Sequence, residues 1–460
     1  MTNSKENKMG ALPVGKLLTG MAVPMMISMM VQALYNVVDS VFVSHISSAN
    51  DNALNAVSLA FPLQSLMIAF ATGTAMGMNA ILSRSLGAKD QDRADRAAGT
   101  GIFLIALNWI LFALIGAFFG TKFFELQTEN AEVIAYGSQY VKICLIGSVG
   151  LFSQFCFERL LQATGRTTLS MVAQLIGAGI NIVLDPILIF GYFGLPKMEV
   201  AGAAAATVIG QICAAIFAVI VNLKKNHDVR FRFSLIRWDG KMIAAIYKIG
   251  LPSIVMQAVS SVMIFTFNQI LSSFREFKEA AVAAFGIYFK LQSFVFMPVF
   301  GLNNAMVPII AYNYGAKRHD RVKKTILYSL IGAEALMLIG VLLFEFVPGT
   351  LLALFDPTPF AAEIGKTAMR IIALHFPLAG VSIVCISVCQ SIGNPLHSLI
   401  VSVCRQLVVL LPAAYLLAQS GRLWTVWFSY PVAEAVSMTL CLIFLASAMK
   451  KSRANASFAA

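Results

Sequence analysis

Charged residues are scarce in this chain of 460 amino acids. Asp, Glu, Lys and Arg together make up 12% of the sequence, whereas a typical soluble domain carries about 25%. Hydrophobic residues make up 58%, and the mean hydropathy is +0.78. A chain with so little charge cannot cover its apolar surface in water. This composition excludes an ordinary soluble fold and indicates that lipid is the solvent.

Other absences exclude classes of function. No GxxxxGK[ST] loop is present to bind the phosphates of ATP, and no nucleophile, metal or acid-rich Mg²⁺ constellation is present. The sequence therefore predicts neither an enzyme nor a cofactor, and uphill transport would have to be driven by an ion gradient. The cysteines have no CxxC spacing and are predicted to be small buried residues of apolar spans: Cys144, Cys156, Cys213, Cys385, Cys389, Cys404 and Cys441.

Long apolar runs are the dominant pattern. Crossing a hydrocarbon core of roughly 30 Å takes about 20 apolar residues in a helix. Residues 100–120, 200–223 and 249–274 each lack Asp, Glu, Lys and Arg. The sequence predicts an all-α integral membrane protein with twelve transmembrane helices, at 17–44, 54–82, 99–120, 138–160, 168–190, 200–223, 246–272, 281–310, 325–347, 367–390, 397–418 and 423–448.

The second half of the chain repeats the first at a constant offset of 228 residues. Pro24 matches Pro252, and Gly87-Ala88-Lys89 matches Gly315-Ala316-Lys317. Because each half holds six spans, both halves run in the same direction through the membrane. The pattern predicts two repeated six-helix bundles (6+6) around a central cavity, which is typical of transporters.

Lys and Arg cluster in alternate loops, so the net charge of +12 follows the positive-inside rule and does not indicate nucleic-acid binding. Both termini are predicted to be cytoplasmic, in the inner (plasma) membrane of the cell. The predicted organisation is an N-terminal segment at 1–16, an N-lobe at 17–223, a basic cytoplasmic linker at 224–245, a C-lobe at 246–448 and a tail at 449–460.

Two acids lie inside predicted spans of the first half. An ionisable residue in a span costs roughly 2.5–3.5 kcal/mol to insert and is a functional candidate. Asp39 lies about 12 Å, and Asp185 about 7 Å, outward from the centre of its span. Tyr35 and Asn181 each precede one of these acids by four residues and share its helix face. Two spans thus bring an acid and a polar neighbour to a similar depth.

A purely structural role for the two acids is the alternative. By the repeat, Asp39 corresponds to Phe267 and Asp185 to Ala413. A structural role common to both halves would be expected to keep an acid in each. The contrast favours an ion or substrate site confined to the first half.

Charged residues in the second half are interpreted differently. Lys290 lies at a depth like that of Asp39. It is interpreted as either part of a gate or an internal counter-charge. Arg405 and Glu434 could form a buried pair, for which a structural role is favoured. His375 is either a proton relay or, more often for a lone histidine, a packed hydrogen-bonding residue.

The sequence resembles the multidrug and toxic compound extrusion (MATE) family over essentially its whole length. The resemblance is carried by the repeat with Pro24 and Pro252, by the two Gly-Ala-Lys turns, and by the paired motifs Gln162-Ala163-Thr164-Gly165-Arg166 and Gln390-Ser391-Ile392-Gly393-Asn394-Pro395. It implies two lobes around a central cavity and exchange of drugs for H⁺ or Na⁺. It also implies an N-lobe ion and substrate site, to which we assign Tyr35, Asn36, Asp39, Asn181, Asp185 and Thr207.

The function expected from this resemblance is ion-coupled export of lipophilic, cationic drugs by a monomer. The chain departs from a branch of the family with a Glu in span 7 and an Asp in span 10, since residues 257–260 and 377–381 contain no acid. A flippase for lipid-linked saccharides or cell-wall precursors is the alternative. Such a protein would be expected to line its cavity with several Arg or Lys to hold a phosphate.

Overall fold

The computed structural model describes residues 7–46, 52–355 and 357–457. Within these ranges it is all-helical, with ten helices long and apolar enough to cross a membrane and two bent helix pairs that complete twelve spans. The predicted membrane fold is therefore confirmed. Residues 1–6 of the predicted N-terminal segment and 458–460 of the predicted tail lie outside the described ranges.

Within the described residues, the first half contains eight α-helices and the second half contains ten. In chain order they are α1 (Lys8–Ala11), α2 (Val14–Ser44), α3 (Asn52–Gly87), α4 (Gln91–Glu125), α5 (Ala131–Ile146), α6 (Val149–Ala163), α7 (Thr167–Phe190), α8 (Glu199–Lys225), α9 (Gly240–Ser272), α10 (Lys278–Gly315), α11 (His319–Phe346), α12 (Pro348–Ala353), α13 (Pro359–Ala373), α14 (Phe376–Ser391), α15 (Pro395–Val403), α16 (Leu411–Ala418), α17 (Leu423–Val426) and α18 (Ser429–Ser457). A π-helical segment, Cys404–Leu410, joins α15 to α16.

The predicted spans 4 and 10 are bent pairs of helices. α5 and α6 meet at 43°, and α13 and α14 meet at 51°. At each break a side chain bonds the carbonyl three residues earlier: Ser148 Oγ donates to Leu145 O at 2.7 Å, and His375 Nδ1 contacts Ile372 O. Each of these carbonyls also accepts a backbone N–H, from Ser148 at 3.3 Å and from His375 at 3.0 Å, so the side chain and the backbone of one residue share an acceptor at each bend. The break recurs at equivalent places in the repeat.

The chain divides into two compact units. Unit 1 contains residues 1–12 and 27–254, and unit 2 contains 13–26 and 255–460. The first long helix of each half changes unit two residues after its proline, at Pro24 in α2 and Pro252 in α9. Proline removes one helical hydrogen bond, so a helix can bend there.

Glycines allow close helix contacts at equivalent places in the two units. In unit 1, a Cβ added to Gly73 would meet the side chain of Ile254 at 2.5 Å. In unit 2, a Cβ added to Gly301 would meet the backbone of Met26 at 2.6 Å. Both members of one contact lie 228 residues from those of the other, so the repeat extends from the sequence to helix packing.

Candidate functional site

The two predicted acids come together inside unit 1. Asp39 lies on α2, Asp185 lies on α7, and their carboxyl groups are within hydrogen-bonding reach of each other. Asp185 has no exposed surface. The phenol of Tyr35 lies near enough to interact electrostatically with both carboxylates. The structure thus brings together three of the predicted site residues.

Several oxygens of this cluster have no donor among the described residues. They are Oδ1 of Asp39, Oδ2 of Asp185 and Oδ1 of Asn181, all buried. Two adjacent carboxylates can only accept hydrogen bonds, so a bond between them needs a proton on one. A proton or a small cation that prefers oxygen ligands would fit this arrangement.

Asn181 links the acid pair to α8. Its Nδ2 lies 3.3 Å from Oδ1 of Asp185 and 3.3 Å from Oγ1 of Thr207. The α7 and α8 backbones approach closely here, because a Cβ on Gly210 would meet the carbonyl oxygen of Gly177 at 2.7 Å. The close packing of α7 and α8 at these glycines therefore brings the predicted Thr207 next to Asn181.

A second polar contact joins α2 to α7 in the same register as the two acids. Ser28 Oγ donates to Gln174 Oε1, and Gln174 Nε2 donates to Gln32 Oε1 at 2.9 Å. Ser28 and Gln174 are 146 residues apart, and so are Asp39 and Asp185. Eleven residues of helix, about 16 Å, separate the two levels. The inner contact holds the helices in the register that aligns the acids.

Three polar neighbours of the site were not predicted. Nε2 of Gln64 lies 3.0 Å from the Tyr140 hydroxyl and 3.8 Å from Sγ of Cys144. Both Tyr140 and Cys144 are close enough to Asp39 to interact with it electrostatically. Gln64 and Tyr140 are polar residues within apolar helices, and that signal could have identified them. Cys144 carries no such signal.

Gly210→Ala is expected to weaken transport by displacing Asn181. The added methyl would lie 2.7 Å from the Gly177 oxygen and 3.3 Å from Cβ of Asn181. Such overpacking costs about 1–3 kcal/mol of stability. Gly179→Ala is the matched control, because nothing lies within 4 Å of a Cβ there. Thermal unfolding and export assays should show a loss only for Gly210→Ala. Equal behaviour of the two variants would contradict the role of this contact.

A comparison of the sequence with protein-family models identifies the family of this chain. The MatE family model matches residues 24–187 and again residues 252–416. The chain belongs to the MATE family. The two matches begin at Pro24 and Pro252, which confirms the internal repeat.

Curated relatives and solved structures agree with this MATE assignment. Multidrug export protein MepA of Staphylococcus haemolyticus (strain JCSC1435) is 26% identical over 426 residues, covering 93% of this chain and 92% of its own. Its counterpart from Staphylococcus aureus (strain MRSA252) is 25% identical over 434 residues, covering 94% of each chain. A MATE crystallised with MaL6 has a TM-score of 0.91 at 23% identity, covering 98% of this chain and all of its own.

In the second half of this MATE chain, the positions equivalent to Asp39 and Asp185 hold Phe267 and Ala413. Phe267, which corresponds to Asp39, is fully buried and packs against Phe285, Trp427 and Tyr430, with the Phe285 ring centroid 4.8 Å away. An aromatic core therefore occupies the position that holds a carboxylate in unit 1. The difference in sequence between the two halves at this position is therefore matched by a difference in packing.

The two remaining predicted residues, Asn36 and Lys290, are both exposed. Asn36 is exposed on α2. Lys290 is exposed in unit 2, with Nζ 5.7 Å from the ring centroid of Phe355. Its role as a gate or counter-charge stays a prediction.

Unit 2 has its own buried polar cluster. Arg405 and Glu434 pair at 3.4 Å, as anticipated, and His375 is buried nearby with its ring 5.5 Å from that of Tyr430. Glu334 on α11 is a further intramembrane acid that the sequence analysis did not single out, and its Oε1 has no partner among the described residues. Of the cysteines, Cys213 and Cys404 are half-buried and the other five are buried.

Proposed function

We propose that this MATE protein is an antiporter that exports lipophilic organic cations in exchange for H⁺ or Na⁺, with Asp39 and Asp185 as the shared site. The names of its relatives, which are multidrug export proteins, support the export of drugs. The observation that carries the ion coupling is the contact between the half-buried Asp39 and the buried Asp185, each with one buried carboxylate oxygen that has no donor among the described residues.

Exchange follows from the chemistry of this pair. Two carboxylates in contact repel each other by on the order of a few kcal/mol even at an effective dielectric constant of 20. A proton shared between them, a sodium ion, or the positive charge of a drug would each relieve this repulsion. Because these cations compete for the same charge, ion binding favours drug release. Competition of this kind is the basis of antiport.

An ion gradient across the membrane supplies enough energy to drive export. Moving one elementary charge across 100 mV is worth about 2.3 kcal/mol. We propose that ion binding to Asp39 changes α2 near Pro24, where the helix passes from one unit to the other. Asn181 and Thr207 would complete the ligand set, and Asn36 and Tyr35 would contribute polar contacts.

The first experiment is transport of a fluorescent organic cation into everted membrane vesicles. A proton gradient and a sodium gradient are imposed separately, with wild type and with Asp39→Asn. We expect one gradient to drive transport and the variant to lose it, which identifies the coupling ion. Transport that neither gradient drives would overturn the proposal, and a lipid-linked saccharide flippase would be tested next.

A further inference from the structure

The segment between the two halves is packed onto unit 1. We call residues 226–239 the strap, because they connect α8 to α9 across that surface. Asp228 accepts from the guanidinium of Arg166 and, at 3.1 Å, from Nδ2 of Asn7. Its carbonyl oxygen accepts from Nε2 of Gln91 at 3.0 Å. The first end of the strap is therefore held by side chains from three parts of the chain.

The other end of the strap is fixed to α4. Nη2 of Arg96 lies 2.7 Å from Oδ2 of Asp239. The guanidinium of Arg96, with the Met242 amide, holds the pKa of Asp239 below its usual value. This carboxylate therefore stays charged at neutral pH, and the contact weakens only as pH falls through that lowered pKa. A Cβ on Gly99 would meet the Leu235 carbonyl oxygen at 2.5 Å, so glycine lets the strap lie against the helix.

The predicted span 99–120 places one side chain of the strap at the depth of the hydrocarbon edge. The ring of Trp238 meets that of Phe103 edge-on, with centroids 6.2 Å apart. Phe103 lies about 10 Å from the midpoint of the predicted span 99–120, and half of a bilayer core is about 15 Å. The predicted span therefore places Trp238 at the depth where aromatic residues anchor membrane proteins to the interface.

The outer surface of the strap combines aromatic rings with unpaired positive charge. Phe233 is 93% exposed and Trp238 is 67% exposed. Both acids of the strap, Asp228 and Asp239, are used in ion pairs. The exposed basic residues on and beside the strap have no ion-pair partner among the described residues: Lys224, Lys225, Arg230, Arg232, Arg237 and Lys241.

We propose that the strap is a binding site for anionic phospholipid of the cytoplasmic leaflet. Trp238 and Phe233 enter the interface, and Arg230, Arg232 and Arg237 bind the headgroup phosphates. The depth of Trp238 favours a lipid over a soluble polyanion, because nucleic acid does not reach the hydrocarbon edge. The positive-inside rule predicts this side to be cytoplasmic. Each basic residue near an anionic surface contributes about fivefold in affinity.

The test is tryptophan quenching in reconstituted bilayers of phosphatidylglycerol and phosphatidylcholine. Bromine is placed close to the headgroup, on one lipid or the other. The signal of Trp238 is the difference between wild type and Trp238→Phe, which leaves the other three tryptophans untouched. We expect brominated phosphatidylglycerol to quench this signal more strongly than brominated phosphatidylcholine. This measurement does not require transport activity.

Two triple variants separate specific from general charge effects. R230Q/R232Q/R237Q should remove the preference for phosphatidylglycerol, because it removes the headgroup ligands and leaves the Arg96 and Arg166 anchors in place. K317Q/K323Q/K324Q removes three exposed charges from the turn after α10 and the first turns of α11 in unit 2 and should keep the preference. A Trp238 signal quenched by aqueous iodide and by neither brominated lipid would overturn the proposal. Equal quenching by both lipids would also overturn it.

Discussion

Asp39→Asn, Asp185→Asn and the double variant are expected to lose ion-driven export to the same extent. One ion shared by two carboxyl groups is lost when either group is neutralised, so the second substitution has little left to remove. Their contact and their unpartnered oxygens are the basis for this expectation. If H⁺ is the coupling ion, organic-cation binding to wild type in weak buffer should also release protons, and each variant should lose that release.

Asp92→Asn is the control for the acid pair. Asp92 is an acid of the same unit, and its side chain is 80% exposed. Its neutralisation should leave both export and proton release unchanged. Single losses that add up in the double variant would show that the two carboxyl groups act separately, which would contradict a shared site.

Arg405→Leu is expected to destabilise the protein more than Arg405→Leu together with Glu434→Leu. The Glu434 carboxylate is buried, and Oε1 already has no partner among the described residues. Removing Arg405 alone therefore leaves a buried charge uncompensated, at a cost of about 3–5 kcal/mol. Replacing both partners with apolar residues avoids most of that cost. Thermal unfolding in detergent measures the order of the two variants.

A surface pair provides the comparison for Arg405 and Glu434. Lys197 and Glu199 lie 3.0 Å apart, with side chains 52% and 30% exposed. Lys197→Leu should cost less than about 1 kcal/mol, because water screens such a pair. A double Arg405–Glu434 variant that is less stable than Arg405→Leu alone would contradict the view that an uncompensated Glu434 is the main cost of removing Arg405.

Much of the candidate site could be predicted from the sequence. Tyr35 with Asp39, and Asn181 with Asp185, are spaced by four residues, which places each pair on one helix face whatever the tertiary packing. The scarcity of charge in apolar runs marks the two acids as costly and therefore notable. Thr207 was assigned by family resemblance, and the structure places it beside Asn181.

Other features depend on contacts between elements that are far apart in the sequence. Gln64, Tyr140 and Cys144 lie on α3 and α5, and only the packing of these helices brings them near Asp39. The strap lies within the basic linker predicted at 224–245, which was identified from its Lys and Arg residues alone. Its attachment depends on pairs more than 60 residues apart in sequence, such as Arg166 with Asp228 and Arg96 with Asp239.

The sequence by itself determined the membrane fold, the twelve spans and the duplication. These depend on hydropathy and on residue identities at a fixed offset, which are local or periodic properties. Only the tertiary structure decided that Asp39 and Asp185 touch, because this requires α2 and α7 to pack in one register. Only the tertiary structure also showed what replaces the acid in unit 2: Phe267 is fully buried against Phe285, Trp427 and Tyr430, and these rings come from parts of the chain that only the packing of helices brings together.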